Sequence, residues 1–242
     1  MTRRNRWEQT LGPEVTWRAP VPITPVTLDG RWVRLEPLGP DHVDDLHGAT
    51  CGADREPSWT YLYDEMPASR EAFGCYLDAR VANPGLASVA IVPILPTGRG
   101  AAGVASWMRD DPANGVVEVG SILLGPSLQR TTAATEAMWL MARHAFERGY
   151  RRYEWKCDAL NAPSRAAALR LGFTYEGTFR QAVVYKGRNR DTAWYSITDE
   201  EWHRLAPAYD VWLAPGNFDD PVTGTGQRSS LSSLTAAALR RG

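Results

Sequence analysis

The chain has 242 residues, 43% of them hydrophobic, and a formal net charge of −1 at pH 7. Such a chain can bury one large core or two small ones. The charge lacks the strongly basic footprint of a nucleic-acid-binding protein, and no apolar run approaches the roughly 18 residues of a membrane span. Three cysteines without a Cys-x-x-Cys pair predict reduced thiols in a cytoplasmic protein, with neither disulfides nor a metal site.

The N-terminal part of the chain predicts an irregular arm, a strand and two helices. Residues 1–27 are rich in Pro, Arg and Trp without a period, and we expect an arm that lies over the domain or is mobile. Arg31 to Leu38 predicts the first strand. Asp41 is expected to cap a first helix, and Pro67 to Ala82 predicts a second.

The middle of the chain predicts an antiparallel meander. Its strands are expected at Ser88–Leu95, Gly103–Met108 and Val116–Leu124, separated by turns that contain Gly and Asn. Further along, Thr178–Tyr185 and Asp191–Ile197 predict a hairpin. Strands, then helix–strand–helix, then a hairpin is the order of an α/β domain.

The segment from Gln129 to Glu136 is the most informative motif. It joins the apolar strand to a helix whose apolar residues recur at i, i+3, i+4, i+7 and i+8. Small residues at a helix start expose unpaired backbone N–H groups at the positive end of the helix dipole, which favours an anion. The segment has neither the Gly-Lys-Ser/Thr of a Walker loop nor the Gly-x-Gly-x-x-Gly of a dinucleotide site. We therefore predict a turn that binds a pyrophosphate.

This turn resembles the coenzyme A loop of the GCN5-related N-acetyltransferases (GNAT), Gln/Arg-x-x-Gly-x-Gly/Ala. Gln129 matches its first position and Ala134 its last, whereas Thr132 stands where Gly is usual. The following Thr-Glu-Ala is similar to the tripeptide that the RimJ/RimL-like branch of the family carries at this place. Four further matches follow in family order: Asn161-x-x-Ser164, Leu171-Gly172-Phe173, Glu176-Gly177-x-x-Arg180 and Gly187-x-x-x-Asp191-x-x-x-Tyr195.

The resemblance implies the acetyltransferase fold, an α/β fold with a mixed, mostly antiparallel sheet of six or seven strands, a central splay and flanking helices. It implies acetyl-CoA as cosubstrate and no metal. The strand Val117–Leu123 would offer free backbone groups to the amide-rich pantetheine. The cofactor-binding residues are then expected to be Gln129, Arg130, Thr131, Thr132, Ala133, Ala134, Thr135, Ile122, Leu123, Leu124 and Asn161.

The implied reaction is direct attack of an amine on the thioester in a ternary complex. Ser164 matches the family's serine and is the predicted proton donor to the leaving sulfur, unless it only satisfies a helix start. Asn161 binds the pantetheine, caps the same helix, or does both. Glu118 is the predicted general base, acting through water, against the alternative of a solvated strand carboxylate. Val183 is a departure, because some ribosomal-protein N-acetyltransferases place a catalytic acid there.

An aromatic segment is expected to line the acceptor side. Trp59, Tyr61 and Tyr63 are the predicted substrate-binding residues, and they would equally suit a core or a dimer face. Asp64 and Glu65 beside them would suit a cationic amine. Three functions stay open: an N-acetyltransferase of a small amine, an N-acetyltransferase of a protein or peptide N-terminus of the ribosomal-protein type, and an acyl-CoA-binding module without chemistry.

The C-terminal part predicts a short helix from Asp199 and then an extension. We place the arm at residues 1–27, the acetyltransferase domain at 28–206 and the extension at 207–242. A set of apolar residues predicts that the extension docks on the domain or on a second subunit, which allows a homodimer: Tyr209, Val211, Trp212, Leu213 and Phe218. The polar run after Pro221 is expected to be mobile.

Overall fold

A long mixed sheet with helices on both faces organises the chain. The structure, a computed structural model, describes residues 3–95 and 98–240, without the side chains of residues 95–99. The strands are β1 (Leu28–Asp29), β2 (Val33–Pro37), β3 (Leu86–Leu95), β4 (Gly98–Arg99), β5 (Gly103–Asp111), β6 (Val116–Leu124), β7 (Arg152–Asp158), β8 (Thr174–Tyr185), β9 (Arg188–Thr198), β10 (Phe218–Asp220) and β11 (Thr225–Gln227). The α-helices are α1 (Val43–Thr50), α2 (Arg70–Ala82), α3 (Thr132–Glu147), α4 (Ala162–Arg170), α5 (Asp199–Leu213) and α6 (Leu231–Leu239), and 3-10 turns span Pro40–His42, Glu56–Trp59 and Pro215–Asn217.

The strand order of the main sheet is β1-β2-β3-β5-β6-β7-β9-β8, with β4 paired to β3, and β10 and β11 form a separate hairpin. The strands β6 and β7 run parallel, and every other pair among the described strands is antiparallel. The predicted mixed, mostly antiparallel fold is confirmed. The main sheet has nine strands within the described residues because the two-residue strands β1 and β4 add to it.

The central strands β6 and β7 pair over only part of their length. Their register runs from Val116 opposite Arg152 to Val119 opposite Trp155. Beyond this point β6 continues to Leu124 along β5, while β7 stays paired with β9. The two strands therefore splay, as expected, and the edge of β6 that faces β7 is free of strand partners from residue 120 onward.

A bulge in β6 accompanies the splay, and helix α2 holds it in place. Ser121 has a φ of 52°, and the β5–β6 register shifts beside it. Bulges of this kind bend a strand and increase its twist. The buried Arg80 of α2 donates to the Ser121 hydroxyl at 2.7 Å, to the Ser121 carbonyl at 3.1 Å and to the Ser106 hydroxyl at 2.9 Å.

Alternation along the central strands places apolar and charged residues on opposite faces. Val117, Val119 and Tyr153 are buried in the core that α3, α5 and α6 cover. A second core lies under α1 and α2 on the other face, where Leu46 and Phe73 are buried. The charged residues of β6 and β7 share this second face, beside the splay.

Three local expectations about helices are wrong. The N-cap of α1 is His42 and not Asp41, because a 3-10 turn precedes the helix. Helix α2 begins at Arg70, after Ser69 accepts a capping hydrogen bond from the Ala72 N–H at 3.2 Å. The helix from Asp199 is not short, since it continues through a proline to residue 213.

Helix α5 tolerates Pro207 because of what it buries. An interior proline costs about 3 kcal/mol through the lost hydrogen bond and the ring clash. Trp202, Leu205, Tyr209 and Trp212 are buried along one side of the helix, and burial of such side chains outweighs that cost. The boundary proposed at 206/207 thus falls inside a helix.

The N-terminal arm lies against the domain. The Trp17 indole donates to the Gly149 carbonyl at 2.8 Å, and the Ile23 N–H donates to the Asp110 carboxylate at 2.8 Å. Ile23 itself is buried in the larger core. Among the described residues, no helix is long and apolar enough to cross a membrane.

Candidate functional site

A cavity of about 380 Å³ opens where β6 and β7 separate. Its walls come from residues 120–122 of β6, residues 155–158 of β7, the start of α4, and the strands β8 and β9. The aromatic segment of residues 61–64 lines another side. The free edge of β6 therefore borders an open space large enough for an extended chain.

The start of α3 carries free backbone donors. Thr131 is the N-cap, and its hydroxyl accepts from the Ala134 N–H at 3.1 Å. In the part of the chain that the structure describes, the N–H groups of Arg130, Thr132 and Ala133 have no acceptor. Three such donors at the positive end of a 16-residue helix can bind a phosphate.

The threonine at the usual glycine position is used structurally. The Thr132 hydroxyl donates to the Gly224 carbonyl at 2.5 Å, so the C-terminal hairpin packs against the first turn of α3. The Thr135 hydroxyl donates to the Thr131 carbonyl and accepts from Arg170 at 3.0 Å. Both side chains point into the protein, and only backbone groups of these residues face outward from the loop.

The remaining predicted cofactor residues lie at the end of β6. The Gln129 side chain donates to the Leu124 carbonyl at 2.9 Å and so fixes the loop to the strand. Ile122 lines the cavity, whereas Leu123 is buried in the core under α1 and α2. The Leu123 side chain therefore does not line the cavity, and its backbone lies opposite Val104 of β5.

Ser164 and Asn161 have separate roles at the start of α4. The Asn161 side chain accepts from the Ser164 N–H at 3.1 Å, which makes Asn161 the helix cap. The Ser164 hydroxyl instead accepts from the Trp155 indole N–H at 3.0 Å. Because its oxygen is occupied as an acceptor, the hydroxyl proton is available to a neighbour in the cavity. The side chain that caps α4 is therefore that of Asn161 and not that of Ser164.

Cys157 lies next to Ser164 on the cavity wall, with its thiol buried. Burial raises the pKa of the Cys157 thiol, and the Ser164 hydroxyl opposes this only in part. A raised pKa keeps the sulfur protonated near neutral pH. The arrangement is therefore unfavourable for an acyl-cysteine.

Glu118 belongs to a charged network that crosses the sheet. One of its carboxylate oxygens, Oε2, accepts from Arg109 at 2.6 Å and forms an ion pair with Lys156 at 3.0 Å. Lys156 also binds Glu154 at 2.7 Å and lies 3.8 Å from the ring centre of Trp194. The other oxygen of Glu118 has no hydrogen bond from any described residue. The alternative of a solvated carboxylate is wrong, because Glu118 is buried.

The aromatic segment divides between cavity and core. Tyr61 and Tyr63 line the cavity, as does Asp64. Trp59 is buried in the second core, where its indole donates to the Thr50 carbonyl at 2.8 Å. Trp59 therefore packs away from this cavity, which the sequence spacing alone did not predict.

Two positions at which an acidic side chain was considered do not place a free carboxylate in the cavity. Glu65 pairs with Lys186 at 3.3 Å on the surface. Val183 lines the cavity where some relatives would place an acid. Within the described residues, no group of three or more His, Cys, Asp or Glu side chains could hold a metal ion.

Strand β9 contributes polar residues that the sequence reasoning missed. Arg190, Thr192 and Trp194 alternate along it and line the cavity. The Arg190 guanidinium lies 4.9 Å from the ring centre of Tyr63 and 5.6 Å from that of Tyr185. Burial, with the Asp158 carboxylate, raises the pKa of Tyr185 to about 12. The period-two pattern of the predicted hairpin could have placed Arg190 and Thr192 on one face, but it could not identify that face as a cavity wall.

Comparisons with known proteins agree with this geometry. Residues 33–174 match the family model for the acetyltransferase (GNAT) domain. A crystal structure of a GCN5-related N-acetyltransferase from Brucella melitensis is 43% identical, with a TM-score of 0.86 over 91% of this chain and 99% of that one. An acetyltransferase of the GNAT family from Chromobacterium violaceum is 36% identical, with a TM-score of 0.73 over 80% and 98%.

More distant structures share the fold. An acetyltransferase from Salmonella typhimurium that modifies the N-terminal serine of ribosomal protein L7/L12 is 23% identical, with a TM-score of 0.59 over 70% of this chain and 96% of that one. No curated protein matched in the corresponding search. On the family model and the two closer structures, the chain belongs to the GCN5-related N-acetyltransferase family and is an N-acetyltransferase.

Proposed function

We propose that the protein transfers the acetyl group of acetyl-CoA to the primary amine of a small molecule, by direct attack in a ternary complex. The observation that carries the proposal is the splay, where a cavity lies between the free edge of β6 and Ser164 at the start of α4. The family uses acetyl-CoA as cosubstrate. The backbone groups without partners at the start of α3 and along the edge of β6 suit its pyrophosphate and its pantetheine.

The cosubstrate fits the donors that the fold leaves open. The pyrophosphate would bind the N–H groups of Arg130, Thr132 and Ala133, and the pantetheine amides would bind the edge of β6 at residues 120–124. This path directs the thioester to the cavity beside Cys157 and Ser164. The Asn161 side chain keeps its NH₂ group for the pantetheine while its oxygen caps α4.

Ser164 and Glu118 are the proposed catalytic residues. The attack leaves a thiolate, which the hydroxyl of Ser164 would stabilise by donating a hydrogen bond, and the proton that the amine loses balances the proton that the thiolate gains. The amine must lose a proton, and the unbonded oxygen of Glu118 would accept it through water. The Arg109 and Lys156 contacts hold the Glu118 carboxylate in one orientation.

The alternatives differ in what enters the cavity. An N-terminal acetyltransferase of the ribosomal-protein type would accept peptides, and Val183 at the cavity wall weighs against it. A module without chemistry would not require a serine with a free hydroxyl proton at the splay. A cytoplasmic location and a homodimer stay predictions.

A panel of amines and N-terminal peptides, assayed with acetyl-CoA by release of free thiol, tests the proposal. Small amines should be acetylated faster than peptides. Turnover of peptides alone would favour the N-terminal acetyltransferase, and binding of acetyl-CoA without any thiol release would favour the non-catalytic module.

The variant Ser164→Ala tests the chemistry. Because a proton donor to sulfur acts mainly in the transition state, we expect kcat to fall by about 10²-fold with little change in the KM for acetyl-CoA. The exposed Ser232→Ala is the matched control and should keep the wild-type rate. Wild-type turnover in Ser164→Ala would exclude the role of Ser164 as donor.

A further inference from the structure

A buried cation in the cavity has no anionic partner. Arg190 is only 6% exposed, yet its guanidinium forms neither an ion pair nor a hydrogen bond with any described residue, and its Nε is fully enclosed without an acceptor. Two positions along β9, the buried Thr192 hydroxyl also has no hydrogen-bond partner. Both residues line the cavity, so both unsatisfied groups lie at the proposed acceptor site.

Nearby groups do not neutralise Arg190. The Asp158 carboxylate is committed, since one oxygen accepts from the Leu160 N–H at 2.9 Å and the other from the Tyr185 hydroxyl at 2.8 Å. Glu118 is already paired with two other cations. The Tyr63 and Tyr185 rings stabilise a cation through their faces but supply no charge and no acceptor to the guanidinium. A buried charge and a buried hydroxyl without partners are both costly, which indicates that a ligand completes them.

We propose that Arg190 and Thr192 bind a carboxylate of the acceptor, so that the acceptor class is an amino acid, meaning a primary amine that also carries a carboxylate. This rests on the proposed function. A planar guanidinium can donate two parallel hydrogen bonds to a carboxylate, and the threonine hydroxyl can donate a third.

The sheet register supports this orientation of the acceptor. Thr192 lies opposite Asp158, at the last paired residue of β7, and Arg190 lies farther toward the β8–β9 turn. Glu118 and the last β6–β7 pair, Val119 opposite Trp155, where the splay begins, lie in the other direction along the sheet. A carboxylate at Arg190 would therefore direct the amine of the same molecule toward the thioester and the Glu118 base.

Pairs of acceptors that differ only in this charge test the inference. Amino acids of increasing chain length, from glycine and β-alanine to 4-aminobutanoate, are compared with their amides by thiol release. We expect the best acid to exceed its amide by about 10- to 100-fold in kcat/KM, the range for a hydrogen bond to a charged group. Arg190→Gln should abolish that preference, and Thr192→Val should reduce it. Arg188→Gln, an exposed arginine on the same strand, should leave it unchanged.

The outcomes separate the two proposals. Amides acetylated as well as acids, or a preference for acids that survives in Arg190→Gln, would overturn the carboxylate site while leaving the N-acetyltransferase proposal intact. If no amine is acetylated, the proposed function fails. In that case the affinity of the CoA complex for the same acids, measured by calorimetry, tests the carboxylate site independently. Binding that Arg190→Gln weakens at least tenfold supports it, and no binding refutes it. The melting temperature and CoA affinity of each variant confirm that it is folded.

Discussion

Single buried residues set the chemical character of the cavity. Cys157 lies at the splay, but burial raises the pKa of its thiol, so a smaller fraction is thiolate at a given pH than for an ordinary cysteine. The thiolate is the reactive form. Even beside a thioester at the proposed position, Cys157 is therefore a poor nucleophile, which supports the proposed direct transfer.

Alkylation with iodoacetamide checks this reasoning. At pH 7.5 the exposed Cys75 should be modified first and Cys157 should remain almost unmodified, and raising the pH should increase the Cys157 rate as its thiolate fraction grows. Peptide mass spectrometry measures both sites in one sample, so Cys75 is the internal control. Equal rates at pH 7.5 would contradict the raised pKa and restore an acyl-cysteine as a mechanism to consider.

At the scale of elements, the start of α3 combines a proposed function with a structural one. Its N–H groups without acceptors are proposed to bind a phosphate, while the Thr132 hydroxyl donates to the Gly224 carbonyl. A glycine at position 132 would supply the first function but not the second. The departure from the family motif thus fits a chain in which a C-terminal hairpin covers this turn.

Two substitutions at position 132 separate these functions. Thr132→Pro removes the N–H but should preserve the helix, because position 132 is the first residue of α3 and Thr131 before it is extended, with φ −93° and ψ 164°. Thr132→Ala removes only the hydroxyl. We expect CoA affinity to fall about tenfold, or ~1.4 kcal/mol, in Thr132→Pro relative to Thr132→Ala, measured by calorimetry. Equal affinities would place the pyrophosphate elsewhere.

At the scale of the whole molecule, the C-terminal extension is part of the main core. The Tyr209 hydroxyl donates to the Leu171 carbonyl at 2.8 Å, and Phe218 packs edge-on against Trp32 with ring centres 5.1 Å apart. The predicted docking is confirmed, and the contacts are within one chain. We expected the polar run after Pro221 to be mobile, and this expectation is wrong. The run forms the turn and the second strand of the β10–β11 hairpin, and Gly224 in the turn has a φ of 68°.

Adjacent residues of α5 measure how much this docking stabilises the fold. Trp212 is 2% exposed and Val211 is 55% exposed. Trp212→Ala should lower the free energy of unfolding by about 3–5 kcal/mol through lost burial and the cavity left behind, whereas Val211→Ala should change it by less than about 0.5 kcal/mol. Urea unfolding with an unchanged m-value provides the comparison. Similar losses in both variants would show that the extension does not form part of the cooperative core.

The elements with strong local patterns were predictable from the amino-acid sequence alone. Val116–Leu124 was predicted at its observed bounds, because its apolar run lies between turn residues, and a helix start was predicted after it, where small residues follow the strand. Helix ends were less predictable where burial against the rest of the protein decides how far the helix continues, as in α5, which extends past Pro207. Trp59 shows the same limit, because an aromatic residue suits a core and a cavity equally well.

Which charged side chains lie next to one another depends on the packing of the whole chain. The pairing of Glu118 with Lys156 depends on the register of parallel strands, and the isolation of Arg190 depends on Asp158 being held by Tyr185. The sequence fixes each residue's position along its strand but not the neighbours that face it, since those come from distant parts of the chain. The family could therefore be predicted from local patterns, as could the proposed cofactor turn, whereas the proposed acceptor site required the fold.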